Sequence, residues 1–279
     1  MGNIGSTALG RAALSRDRPT TVLFAEVAGA PAARTLDVLG QAAELSGGRV
    51  LHRHATGVLA LFSTPDAAAA AAARMHAYAQ AMVDAAESPG VRIGFHSGPV
   101  GQRNADVFGD TVNLALKLAD QAKSGQILTS SDTASTLSPA LQELVRPSGP
   151  VKELVWRESL ASVVAALGTT GPVRGELRLT YRGKVLLRRR EGDLVSIGRD
   201  PECDVQVDDI GVSRRHCSIE RRGAAFTLRD HSMNGTFVTI GQTEVRAGEL
   251  PLGNSGTIAL GQPASAGGQA IQYSCEFSS

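Results

Sequence analysis

Between residues 20 and 133, apolar and polar positions follow strand and helix patterns in turn. Short apolar runs bounded by turn residues are typical of buried strands, and apolar stripes three or four residues apart are typical of helices. The strands are expected at 21–27, 49–54, 57–62, 91–100 and 126–129. The helices are expected at 31–45, at 65–87 with a start at Thr64 or Pro65, and at 110–122. The middle helix is rich in alanine, the best helix former. This alternation predicts an α/β (α+β) domain at residues 20–165.

The pattern changes in the last third of the chain. Short apolar runs alternate there with Gly, Asp, Asn and Pro every eight to twelve residues, which is typical of an all-β sandwich. Strands are expected at 195–197, 205–207, 217–219, 225–228 and 236–238. The sequence therefore predicts a second domain at 175–279, reached through a short flexible linker at 166–174. We expect residues 1–19 to form a mobile arm.

Composition narrows the function classes. The chain has 279 residues and is 42% hydrophobic, enough for two buried cores. Its 28 Lys/Arg are balanced by 27 Asp/Glu, so neither a basic patch nor a nucleic-acid partner is expected. The three cysteines show no metal-ligand spacing, which predicts free thiols in a reducing compartment. No apolar run is long enough to cross a membrane and no secretory signal is present, so we expect a cytoplasmic protein without a membrane partner. The long alanine runs are typical of a bacterial protein. The start MGNIGS fits a permissive N-myristoylation pattern, but we interpret it as part of the arm.

Three polar motifs fall in the turns of the predicted sandwich: GR at 198–199, SRRH at 213–216 and NGT at 234–236. In this order and spacing they resemble the forkhead-associated (FHA) family of phosphothreonine-binding sandwiches, over about residues 174–278. The resemblance implies phosphopeptide contacts from Arg199, Ser213, Arg214 and Asn234. It also implies structural roles for Gly198, His216, Gly235 and Thr236. The alternative is that all are ordinary turn residues of another sandwich.

These residue types suit the implied chemistry. A guanidinium such as that of Arg199 is a planar donor for a phosphate dianion, and Ser213 and Arg214 add further donors. The amide of Asn234 has both an acceptor and a donor for the peptide backbone. By resemblance, His216 holds the loops through its ring nitrogens. We interpret the basic run 188–190 as a solvated hairpin face, because acidic residues follow it.

A second resemblance covers about residues 20–160, to the class III adenylate/guanylate cyclase catalytic domain. It rests on the segments FAEVAG (24–29), GGRVLHRHATGVLALF (47–62), RIGFHSGPV (92–100), DVFGDTVNLALKL (106–118) and SGQILTSSDT (124–133). The family holds two Mg²⁺ or Mn²⁺ ions on a pair of aspartates. The metals activate the attacking hydroxyl and neutralise the phosphates.

The cyclase positions of this chain depart from that pattern. Glu26 and Thr56 stand where the resemblance places the two metal-binding aspartates. Of the base-selecting positions, one is His52 in place of lysine, and the other, Asp106, is retained. Asn113 is kept, but Lys117 replaces the arginine that binds phosphate with two parallel bonds. We therefore expect a degenerate, non-catalytic domain with no metal and no cofactor.

We expect the protein to bind phosphothreonine in intracellular signalling. Its expected partners are a threonine-phosphorylated protein and the Ser/Thr kinase that phosphorylates that protein. The resemblance implies a head-to-tail homodimer formed by the cyclase-like domain. We expect this domain to serve in dimerisation or in nucleotide sensing. The alternative is an active nucleotidyl cyclase that makes cAMP or cGMP with Mg²⁺ or Mn²⁺, using Glu26 as a ligand, and is regulated through the FHA domain. If a kinase modifies the linker residues Thr169 or Thr170, we expect the FHA site to bind its own linker.

Overall fold

The structure is a computed structural model that describes residues 19–29, 33–82, 90–103, 106–156, 174–190, 192–222 and 225–278. The N-terminal sequence MGNIGS, the linker residues Thr169 and Thr170, and Glu191 lie outside these ranges. No helix in the described ranges has the length and apolar character needed to cross a membrane.

The first domain contains nine strands and five helices in its described residues. The strands are β1 (Thr20–Val27), β2 (Arg49–Arg53), β3 (Gly57–Phe62), β4 (Val91–Gly98), β5 (Gly101–Arg103), β6 (Asp106–Phe108), β7 (Ile127–Thr129), β8 (Val145–Ser148) and β9 (Val151–Leu154). The helices are α1 (Ala33–Leu45), α2 (Pro65–Ala81), α3 (Asp110–Gln121), α4 (Ser131–Ser135) and α5 (Pro139–Gln142).

A seven-stranded sheet in the order β2-β3-β1-β4-β7-β9-β8 forms the centre of this domain. Alternation along β1 places Leu23 and Ala25 in the core beneath α1 and α2. Val22 and Phe24 point to the other face, where they share a core with Val112 of α3. The sheet therefore has two helices on one face and α3 on the other.

Helix α2 begins as the sequence predicts, with Thr64 Oγ accepting a hydrogen bond from the Ala67 backbone N–H at 3.2 Å. The helix ends at Ala81 with Met82 as C-cap, whereas the prediction extended it to Glu87; residues 83–87 of that prediction lie outside the described residues. Propensity does not locate helix ends, because it carries no information on where the packing surface of the helix ends.

The second domain is a sandwich of two sheets. Its strands are β10 (Arg174–Tyr181), β11 (Lys184–Arg188), β12 (Leu194–Gly198), β13 (Val205–Gln206), β14 (Cys217–Arg222), β15 (Ala225–Asp230), β16 (Thr236–Ile240), β17 (Thr243–Ala247), β18 (Glu249–Pro251), β19 (Ser255–Leu260) and β20 (Gln269–Ser278). One sheet has the order β11-β10-β20-β19-β16-β17 and the other β13-β12-β14-β15-β18. All three cysteines are buried in this domain as free thiols, as the sequence predicts.

Helix α2 joins the two domains. It packs against β17 and β18, the neighbouring edge strands of the two sandwich sheets, and nearly all of its residues are buried. The Tyr78 hydroxyl donates to the Pro251 carbonyl oxygen at 3.0 Å across this boundary. Arg74 is 5% exposed beside Tyr78, and its Nε has no hydrogen-bond partner. The small alanine side chains let the helix approach a sheet on one side and the sandwich on the other.

Candidate phosphopeptide-binding site

Two loops of the sandwich meet at the carboxyl end of β12. The backbone N–H groups of Arg199 and Asp200 donate to the carbonyl oxygens of Ser213 and Arg214, both at 3.0 Å. Gly198 permits this approach, because a Cβ there would lie 2.2 Å from the Arg214 carbonyl oxygen. The local sequence therefore holds the loop of 213–216 directly against the end of the strand.

His216 connects this loop to a third one. Its ring is fully buried, Nδ1 accepts from the Ser213 backbone N–H at 3.0 Å, and Nε2 lies 3.0 Å from the Gly235 carbonyl oxygen. Because a carbonyl only accepts, Nε2 must carry the proton and the ring must be neutral. Burial lowers the pKa of His216 below its ordinary value, consistent with this neutral tautomer.

The third loop is shaped by residues that the three motifs did not include. Asp230 Oδ1 accepts from Ser232 Oγ and from Thr236 Oγ1, each at 2.7 Å. Ser232 Oγ in turn accepts from the Gly235 backbone N–H at 2.8 Å. Gly235 has a φ of +96°, a left-handed conformation that favours glycine. The polar run 230–232, one residue before NGT, was the sequence signal that could have identified this support.

The side chains to which the resemblance assigns phosphopeptide contacts lie on or beside these loops. Arg199 is exposed, and its Nε donates to the Val212 carbonyl oxygen at 3.3 Å, while its terminal nitrogens make no hydrogen bond or ion pair within the described residues. Arg214 is exposed and Ser213 is half-buried. Asn234 donates from Nδ2 to the Gly211 carbonyl oxygen at 2.9 Å, so its Oδ1 is available as an acceptor. The arrangement presents two guanidinium groups, a hydroxyl and an amide at one end of the sandwich, a donor set suited to a phosphate dianion.

The basic run of β11 does not contribute to this site. Arg188 pairs with Asp204 at 2.5 Å and Arg189 pairs with Glu176 at 2.5 Å. These guanidinium groups are already neutralised by carboxylates. The acidic partners of Arg188 and Arg189 are Asp204, which directly precedes β13, and Glu176 of β10, rather than the acidic residues that follow the run.

The metal-pair positions lie side by side in the first domain. Glu26 is opposite Gly57 in the β1–β3 register, and the Thr56 carbonyl oxygen accepts from the Val27 backbone N–H at 2.7 Å. The Glu26 carboxylate is paired with the Arg92 guanidinium of β4 at 2.6 Å. A hydroxyl and one carboxylate that is already ion-paired are a poor ligand set for a divalent cation, which prefers several anionic oxygens. No group of three His, Cys, Asp or Glu residues in the described ranges is placed to hold a metal ion. These residues do not fit the metal pair of the family.

The other cyclase positions separate into two pairs. His52 Nε2 lies 2.8 Å from Asp106 Oδ1, although the two residues are 54 apart in the chain. These are the two residues that the resemblance places at the base-selecting positions, and the fold brings their side chains together. Asn113 and Lys117 share one exposed face of α3. Their side chains make no hydrogen bond or ion pair within the described residues, including with Glu26 or His52.

Comparisons with known protein families support the assignment of both domains. Residues 195–261 match the family model described as "FHA domain". Residues 63–152 match the model described as "Adenylate and Guanylate cyclase catalytic domain". The chain joins a class III cyclase-like domain to an FHA domain. The cyclase match begins after Glu26, His52 and Thr56, and it includes Asp106 and Asn113.

Two curated relatives match the FHA domain. The chain is 35% identical over 85 residues to the glycogen accumulation regulator GarA of Mycolicibacterium smegmatis, covering 26% of this chain and 54% of that protein. It is 36% identical over 89 residues to an oxoglutarate dehydrogenase inhibitor of Corynebacterium diphtheriae, covering 29% of this chain and 60% of that protein. The chain thus spans less than two thirds of either relative.

Among solved structures, the cyclase-like domain is similar to the monomeric guanylyl cyclase domain of the RhoGC fusion protein from Blastocladiella emersonii. The identity is 21% and the TM-score is 0.41, with 49% of this chain and 93% of that chain covered.

Proposed function

We propose that this protein binds phosphothreonine peptides through Arg199, Ser213, Arg214 and Asn234 and acts in signalling. The observation that carries the proposal is the His216 bridge, which ties the loops bearing Ser213 and Asn234 into one cradle. The cradle is polar and exposed. The Arg199 guanidinium, whose Nε donates to the Val212 carbonyl oxygen, lies at its edge. The relatives are named as a regulator and an inhibitor, which supports a regulatory role. The partner is a threonine-phosphorylated protein, together with the Ser/Thr kinase that phosphorylates it.

Calorimetry with one peptide in phosphothreonine and unphosphorylated form tests this function. We expect binding only of the phosphorylated form, because its dianion supplies the charge that Arg199 and Ser213 recognise. Arg199→Ala removes a charge-assisted pair of about 1.5 to 3 kcal/mol, so affinity should fall about tenfold or more. Arg178→Ala is the matched control, since Arg178 is an exposed arginine of β10 outside the cradle. Equal affinity for the two peptide forms would refute the function.

The cyclase-like domain is proposed to be non-catalytic. Thr56 supplies no carboxylate, Glu26 is ion-paired with Arg92, and Lys117 offers a point charge in place of a planar fork. Purified protein should form no cyclic nucleotide from ATP or GTP with either Mg²⁺ or Mn²⁺. Mn²⁺ gives the stricter test because it tolerates poorer ligand geometry than Mg²⁺. Turnover that disappears in Asn113→Ala would instead establish the alternative, an active nucleotidyl cyclase.

We also propose that the domain dimerises through the face that carries α3. The FHA domain packs on α2, on the opposite side of the sheet, so it leaves Asn113 and Lys117 exposed. Dimerisation through this face, or nucleotide binding there, would give the cyclase-like domain a role that requires no catalysis. Sedimentation of the wild type and of Lys117→Glu tests the dimer, since a charge reversal at the interface should shift the protein to monomer. A wild type that stays monomeric at high concentration would exclude it.

A further inference from the structure

Arg246 lies beside the candidate site, although no motif includes it. It is opposite Phe237 in the β16–β17 register, and its neighbours Val245 and Ala247 are buried, so Arg246 points to the outer face of the sheet. Its guanidinium rests against Gly235. A Cβ on that glycine would lie 2.7 Å from Arg246 Nε and 3.1 Å from Cζ. Glycine at 235 therefore also provides the space that this side chain occupies.

The charge of Arg246 is not neutralised within the described residues. The side chain is exposed, and it makes no hydrogen bond or ion pair there. Three carboxylates of the surrounding strands and loops are engaged elsewhere. The Asp209 carboxylate accepts from the Gly211 backbone N–H at 2.8 Å. The Asp230 carboxylate accepts from the Ser232 and Thr236 hydroxyls, both at 2.7 Å. The Glu244 carboxylate accepts from the Ser265 hydroxyl at 2.6 Å and from the Ala264 backbone N–H at 2.7 Å.

Arg246 also lies close to the residue that is proposed to hold the peptide backbone. Gly235 directly follows Asn234, and Asn234 Nδ2 is anchored on Gly211 at 2.9 Å. A peptide bound by Asn234 would therefore pass close to the Arg246 guanidinium, which lies against the next residue, Gly235. Because an arginine side chain carries five N–H donors, it can bind a carboxylate or a phosphate through two bonds.

We propose that Arg246 is a specificity-determining residue that binds a second anionic group of the ligand, close to the phosphothreonine. The preferred ligand is then a phosphothreonine peptide with an acidic or a second phosphorylated side chain near the phosphothreonine. This inference rests on the proposed phosphothreonine function and deepens it, because Arg199 and Arg246 would read two separate negative charges.

A set of synthetic peptides tests the inference. Each peptide carries phosphothreonine in an alanine background, with glutamate, phosphoserine or glutamine at one of the three positions on either side. Affinities are measured by calorimetry for wild type, Arg246→Gln and Arg178→Gln. Arg178 is the matched control because it is exposed on the same outer face, separated from β17 by β20, β19 and β16.

We expect one position at which glutamate and phosphoserine bind the wild type about threefold to tenfold more tightly than glutamine, as for a solvent-accessible charge-assisted pair. This preference should disappear in Arg246→Gln and persist in Arg178→Gln. Phosphoserine binding more tightly than glutamate would identify the second group as a phosphate, and similar affinities would identify it as any acidic side chain.

Two results would overturn the inference while the proposed function stands. In one, the wild type binds the glutamine peptides but shows no preference for an added negative charge at any position. In the other, the preference is unchanged in Arg246→Gln. Failure of the wild type to bind even the glutamine phosphothreonine peptides would overturn the proposed function itself.

Discussion

Gly198→Ala tests whether the close approach of the loops builds the proposed phosphopeptide site. The new methyl group would lie 2.2 Å from the Arg214 carbonyl oxygen and 2.9 Å from the His216 backbone nitrogen. Real Cβ atoms essentially never approach closer than 3.0 Å, so the loop must move by about 0.8 Å, the difference between 3.0 and 2.2 Å. Both neighbours are backbone atoms, so no side-chain rotation can relieve the contact.

The size of the effect follows from the bonds that the loop would lose. The Arg214 carbonyl oxygen accepts from the Asp200 backbone N–H, and the neighbouring Ser213 carbonyl oxygen accepts from the Arg199 backbone N–H. Leaving a buried donor or acceptor unpaired costs about 1 to 3 kcal/mol, and overpacking costs a similar amount. We expect the free energy of unfolding to fall by about 2 to 4 kcal/mol. The affinity for a phosphothreonine peptide should fall about tenfold or more, because Ser213 moves with the loop.

Urea denaturation followed by circular dichroism measures the stability, and calorimetry measures the affinity. The matched control is Gly248→Ala, since a Cβ at Gly248 meets no atom within 4 Å. We expect this control to be neutral or slightly stabilising, because alanine restricts the unfolded chain more than glycine does. If Gly198→Ala matched Gly248→Ala in both stability and affinity, the close approach would not matter and the reasoning would be wrong.

The remaining predictions concern the domain boundary and the buried histidine. Tyr78→Phe leaves the Pro251 carbonyl oxygen without its donor, so the free energy of unfolding should fall by about 1 to 2 kcal/mol in urea denaturation. Tyr181→Phe, which removes a half-buried hydroxyl bond to Gln269, should cost less, and equal losses would contradict a special role for the boundary. Burial lowers the pKa of His216 in the folded state, so below the ordinary histidine pKa of about 6.5 the unfolded chain binds more protons than the folded one. The free energy of unfolding should therefore fall as the pH drops below about 6.5, by at most about 1.4 kcal/mol per pH unit for this group. An NMR titration of the His216 ring measures the folded-state pKa directly. A midpoint above about 6.5 would contradict the expected direction of this pKa shift.

Local sequence predicted strands β1–β4, β7 and β12–β16, helices α1–α3, and the loops proposed to bind phosphopeptide. The apolar run of β1 predicted a buried strand, and all of its residues except Glu26 are buried. Along β16 burial alternates from residue to residue, as strand geometry requires. The motifs GR, SRRH and NGT were assigned through their resemblance to the FHA family, and local conformation explains only part of them, such as glycine at the left-handed φ of Gly235. The support from Asp230 and Ser232 was missed, because these side chains bond within one turn and resemble ordinary loop residues.

The tertiary structure decided which residues separated in the chain come together. His52 and Asp106 are paired because β6 returns beside β2, and Glu26 meets Arg92 because β1 and β4 are neighbours in the sheet. Helix propensity identified α2, but only the packing of the FHA domain explains its burial on both sides. Sequence patterns record the local period of each element and carry no information about which elements become neighbours. Contacts across strands and across the two domains are for that reason set by the packing of the whole chain.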